Sequence, residues 1–92
     1  MPYDGRRLKV RGENLTWLPV NEEIIVLDLS TSRYLSVNGS GVVLWTALVE
    51  GATLPALVDL LIETYAIDRE RAEADVSAFL ESMEERKFLD GA

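Results

Sequence analysis

A change of hydrophobic period near residue 38 constrains this chain more than any other feature. Before it, apolar residues alternate or run nearly unbroken over short stretches, as in β-strands; after it they recur every three or four residues, as in helices. The strand-like runs are 15–20, 23–29 and 33–37. Asn21-Glu22 and the Ser30-Thr31-Ser32 segment separate them, links short enough for hairpins, so the three form an antiparallel meander with 15–20 and 33–37 at its edges.

The helical half opens after Asn38-Gly39-Ser40, whose polar side chains are suited to capping a first turn. A helix over 41–50 ends at Gly51, a left-handed C-cap candidate. Thr53 is the expected N-cap of a second helix with Pro55 in its first turn, and Leu57, Leu60, Leu61 and Tyr65 lie along one face. Asp68 caps a third helix over 68–87, with Ala72, Val76, Phe79, Leu80 and Met83 as its apolar stripe. The predicted class is α+β: a three-stranded meander followed by three helices, like a winged helix-turn-helix.

At 92 residues, 48% of them apolar and 27% charged, the chain has the balance of one globular domain over 1–92. The basic start, Arg6, Arg7, Lys9 and Arg11, is read as part of a flexible segment over 1–11. With neither cysteine nor histidine, the chain has no thiolate zinc site, no Ser-His-Asp triad and no Cys-His pair. Glu22-Glu23 and Glu84-Glu85 are poor acid/base or metal pairs; adjacent helical residues diverge by about 100°, so Glu84 and Glu85 do not converge on one point, and solvated surface charge is the better account. Gly39-Ser40-Gly41 lacks the rest of a phosphate-binding fingerprint. The expectation is therefore no enzyme, no cofactor and no metal. The absence of a long apolar run argues against a membrane partner and for a cytoplasmic location.

A winged-helix layout also invites a DNA-binding reading, with the third helix in a major groove. Asp68, Glu70, Glu73, Asp75, Glu81, Glu84 and Glu85 on that helix, in a chain of net charge −7, would repel phosphates along most of its length. Nucleic acid is not an expected partner.

Across its last two-thirds the chain carries an ordered series of residues. It runs through Leu27-Asp28-Leu29-Ser30-Thr31-Ser32-Arg33-Tyr34-Leu35-Ser36-Val37-Asn38, Gly41, Leu44-Trp45 and Gly51-Ala52-Thr53-Leu54. It continues through Tyr65-Ala66-Ile67-Asp68, Ala74-Asp75-Val76, Phe79-Leu80 and Phe88-Leu89. This series resembles the PqqD-like family of RiPP recognition elements and, within it, the free-standing leader-binding proteins of lasso-peptide biosynthesis. The resemblance implies a non-catalytic protein on which a precursor's leader peptide docks as an extra strand beside strand 33–37, with the third helix as the other wall. The precursor would then pass to a separate leader peptidase, and a cyclase would act on its core. Lys87 departs from the family, which often has a glycine near the end of the third helix.

Independent physical reasons point to the same groove. Pro19 lacks a backbone donor and suits an edge that stays unpaired, whereas 33–37 has no proline and one charge, so it is the open edge. All of Arg33, Tyr34, Leu35, Ser36 and Val37 offer backbone groups. Tyr34 and Ser36 share one face and Arg33, Leu35 and Val37 the other; either face suits the groove, with Leu35 and Val37 the better core candidates and Tyr34 the better rim contact. From the third helix, Asp75, Val76, Phe79 and Met83 are the candidate pocket residues. Phe79 is the expected anchor and Met83 an exposed, adaptable contact. The competing account is that Val76, Phe79 and Met83 fill the core with Leu80, and that Asp75 is a solvated carboxylate. A general adaptor that binds a partner enzyme instead of a leader is the alternative function.

Overall fold

The computed structural model describes residues 6–91, as six strands and three helices in the order β1 (Arg7–Val10), β2 (Leu15–Val20), β3 (Glu23–Asp28), β4 (Arg33–Val37), α1 (Ser40–Glu50), β5 (Ala52–Thr53), α2 (Leu54–Tyr65), α3 (Arg69–Glu85) and β6 (Leu89–Gly91). The strands form two antiparallel sheets, β2-β3-β4 and β5-β1-β6. The α+β class and the meander agree with the sequence. The second sheet does not appear in that reading.

In the meander, β2 and β3 join through a two-residue link in which Asn21 has φ 59°. That left-handed conformation is tolerated by asparagine better than by most residues with a side chain. The β3–β4 link closes on Asp28: its carbonyl accepts from the Ser32 N–H at 2.8 Å and its carboxylate from the Ser30 N–H at 2.9 Å. Leu15, Ile24, Val26 and Val37 bury one face of this sheet.

The segment over 1–11, read as flexible, requires correction over 7–10; residues 1–5 lie outside the described ones. Residues 7–10 are β1, the centre of the second sheet. Leu8 and Val10 point into the core while Arg7 and Lys9 face out, and β5 and β6 flank the strand. Arg7 and Arg6 tie this sheet to the helices. Arg7 donates from Nη2 to the Glu50 carbonyl at the end of α1 at 2.7 Å, and Arg6 lies 4.0 Å from the Glu84 carboxylate. Gly51 has φ 102°, outside the predicted left-handed helical cap geometry and in a region that residues with a side chain rarely adopt, and the Arg7 guanidinium fills the space where a Cβ would stand.

Thr53 and Asp68 are the N-caps of α2 and α3, accepting from the N–H groups of Ala56 at 3.3 Å and Arg71 at 2.8 Å. For α1 the expected side-chain cap is absent. Gly39 is the N-cap, and the N–H groups of Gly41 and Val42 bond instead to the carbonyls of Asn38 and Gly39 at 3.1 Å each. Along α2, Leu57 and Leu61 are buried and Leu60 is partly so, but Tyr65 is exposed.

One core joins both sheets to all three helices around Trp45, which Trp17 and Phe88 meet edge-on at centroid distances of 5.5 Å and 6.3 Å. Each fully buried side chain of this size contributes about 1.5–3 kcal/mol. The Trp45 indole N–H is buried without a hydrogen-bond partner among the described residues.

Candidate functional site

Strand β4 lies at the end of its sheet and pairs only with β3 among the described residues, so its outer edge is open. Beside that edge runs α3. Between them lies a cleft of about 440 Å³, lined on the sheet side by Leu35, Ser36, Val37 and Asn38, on the helix side by Asp75, Ala78, Phe79, Ser82 and Met83, and at one end by Ser40, Gly41 and Leu44 from the start of α1. Past the other end of β4 is a cleft of about 560 Å³ that includes Arg33, Tyr34, Glu85, Arg86 and Lys87.

The strand's two faces are now distinguished. Val37 is buried and Leu35 half-buried on the core side, while Tyr34 and Ser36 project outward, Tyr34 with 70% of its surface exposed. Ser36 Oγ donates to the Glu23 carboxylate on the neighbouring strand. Six of the candidate residues therefore share one cleft: Leu35, Ser36, Val37, Asp75, Phe79 and Met83. Arg33 and Tyr34 belong to the adjoining one.

Two candidates need correction. Val76 is 0% exposed and belongs to the core, because it faces inward with Ala72, Leu80 and Met83. Met83 lines the cleft but is 2% exposed, so it is part of a packed floor and not a free, adaptable side chain. Phe79 is half-buried and touches α1 closely: a Cβ on Gly41 would lie 3.2 Å from Phe79 Cε1 and 3.0 Å from Val37 Cγ1. The missing side chain at Gly41 is what lets the ring rest against the helix backbone. Asp75 is exposed, 3.8 Å from Arg71 Nε one turn earlier. Such a pair contributes only about 0.3–0.5 kcal/mol, so the carboxylate remains available to a ligand donor.

Ala78 and Ser82 escape an apolar-stripe search because one is small and the other polar. With Asp75, Phe79 and Met83 they nevertheless follow the three- and four-residue spacing of a single helix face.

The larger cleft is braced by Arg11. Its guanidinium donates to the carbonyls of Glu13 and Lys87 at 2.9 Å each and reaches Asp28 Oδ1 at 3.4 Å. Burial works against the charge of Asp28, but the Ser30 N–H, Arg11 and Thr31 together outweigh it and hold the carboxyl below the ordinary aspartate range. Lys87 marks the end of α3 with φ 60°. Its N–H bonds to the Glu84 carbonyl at 2.9 Å and that of Phe88 to the Met83 carbonyl at 3.0 Å, the double closure that normally favours glycine at this position.

An open strand edge lined by a helix defines a class of small α+β proteins able to accept a peptide as an added strand. The family model for coenzyme PQQ synthesis protein D (PqqD) matches residues 23–89. The chain belongs to the PqqD family, as a PqqD-like RiPP recognition element. Two solved structures share the fold. TbiB1 in complex with the TbiA(beta) leader peptide is 26% identical with a TM-score of 0.82, the match covering 89% of this chain and 94% of that one. A lasso peptide synthetase B1 complexed with the leader peptide is 19% identical with a TM-score of 0.80, covering 90% and 96%. Among curated proteins none matches the sequence. Among the described residues no helix is long and apolar enough to cross a membrane, and no group of acidic side chains has the geometry of a metal site.

Proposed function

We propose that this chain is a single, non-catalytic, cytoplasmic leader-peptide-binding domain of lasso-peptide biosynthesis. It takes the leader of a ribosomally made precursor as an added strand on β4, with side chains of the leader seated against α3, and hands the bound precursor to a separate leader peptidase and then a cyclase. The observation that carries the reading is the unpaired β4 edge facing Phe79 and Met83, in a chain 26% identical to a protein solved with a leader peptide bound. Backbone pairing supplies attachment, and the cleft supplies discrimination. Dissociation constants from about micromolar to tens of nanomolar correspond to about −8 to −10 kcal/mol, after the cost of ordering a flexible leader.

The test is calorimetric titration with the synthetic leader of the precursor encoded beside this gene. One-to-one binding that Phe79→Ala weakens at least about tenfold, with circular dichroism unchanged, is the expected result. No heat up to about 100 µM, a Kd weaker than about −5.5 kcal/mol, refutes leader recognition.

A second reading as an adaptor for a partner enzyme has its own observation. The outer face of the meander carries Leu18, Val20, Ile25, Leu27 and Tyr34, and Leu18 keeps 63% of its surface exposed. An adaptor of that kind leaves the isolated leader unbound, so the same titration separates the two.

A further inference from the structure

The two clefts along β4 differ in charge, and that difference assigns a chemistry to one end of the groove. Val37 and Phe79 approach one another at Gly41, while Arg33 and Arg86 both line the far cleft, so β4 and α3 run in opposite directions as two walls of one channel. At the Phe79 end the charged group is Asp75. At the far end stand Arg33, Arg86 and Lys87, and none has a carboxylate within 4.0 Å among the described residues. Asp28 in that cleft is already engaged by Arg11, which leaves Glu85 as the one opposing carboxylate there. In a chain of net charge −7, this cation cluster lies directly in line with the open strand edge.

We propose that the far cleft is a carboxylate-binding subsite for the leader strand, recognising an aspartate or glutamate about four residues from the apolar side chain that occupies the Phe79 cleft. This rests on the leader-binding reading above. The spacing follows from strand geometry. Val37 to Arg33 is four residues along β4, about 13 Å at about 3.3 Å per residue, and an even number keeps two side chains of the added strand on the same face. Arginine favours a carboxylate because its planar fork donates two parallel hydrogen bonds. The subsite would set register: sliding the leader by one residue turns the acid to the opposite face and leaves Arg33 and Arg86 without it.

The experiment titrates the same synthetic leader, and versions in which each Asp or Glu is changed singly to Asn or Gln, into the wild-type protein and into Arg33→Glu/Arg86→Glu. Expected is a loss of about tenfold or more for the double variant, and a similar loss on wild type for one amide peptide only, whose altered position lies about four residues from the apolar anchor. That peptide should lose little further affinity on the double variant, since the two changes remove the same contact. If wild type binds the leader but every amide peptide and the double variant stay within about twofold, the subsite is refuted and leader recognition stands. Failure of the unmodified leader to bind wild type refutes both.

Discussion

The two sheets are built on opposite principles. The meander β2-β3-β4 is assembled from neighbours in sequence, joined by tight links, and ends in a five-residue strand with a free edge. The sheet β5-β1-β6 gathers three distant pieces of chain, its outer strands are only two and three residues long, and arginines bind it to the helix ends. Short edges offer few groups to a partner strand. One sheet thus closes the fold, while the other keeps a site open, and damage to each should be read in different measurements.

The largest effect separates them on the closed side. Leu8→Ala removes a fully buried side chain from the middle of β1 and should cost about 2–5 kcal/mol in denaturant unfolding, with leader affinity of the remaining folded protein unchanged. A loss of affinity in the folded fraction would mean that the two sheets are not independent.

The converse lies on the open side. Gly41→Ala places a methyl group 3.0 Å from the buried Val37 and 3.2 Å from Phe79 and should weaken leader binding by about three- to fivefold, less than Phe79→Ala, with the gain in helix propensity of up to about 1 kcal/mol offsetting part of the crowding against Val37. Unchanged affinity would show that the ring position is not critical to the groove.

The two regions are tied together through Arg11 and Asp28. The folded state depresses the Asp28 pKa, so its stabilisation is present above the unfolded value of about 3.9 and is lost as pH falls through the lower folded value. Acid titration of the melting temperature should therefore fall less steeply below about pH 4 in Asp28→Asn, which should also melt lower at neutral pH. Identical acid limbs in the two proteins would contradict this account.

The smallest effect concerns the end of α3. Lys87 holds φ 60° with a side chain, and Lys87→Gly should raise stability by about 0.5–1 kcal/mol, since the left-handed backbone at this position favours glycine. Unchanged or lowered stability would show that the backbone at Lys87 carries no strain that glycine relieves.

The elements that the sequence alone determines are those with local causes. The edges of β2 and β4 follow from alternating apolar residues bounded by turn formers. The starts of α2 and α3 follow from Thr53 and Asp68, whose side chains reach N–H groups three residues ahead. The family, too, is written in the order of such residues from the meander to Phe88-Leu89. The alternation Arg7-Leu8-Lys9-Val10 is equally visible, but a four-residue strand has meaning only once β5 and β6 are beside it, and those partners lie more than forty residues away, as the Arg7–Glu50 bond at a separation of 43 illustrates.

The site divides in the same way. Strand 33–37 as the open edge is legible from proline placement, whereas helical period alone leaves Phe79 open between the core and the cleft. That Val76 turns inward, that Gly41 makes room for Phe79, and that Arg33 and Arg86 line one cleft are decided only by how α1 and α3 pack on the sheet. Local pattern sets which face of an element is apolar; only packing decides whether that face is closed by the protein's own chain or left for another.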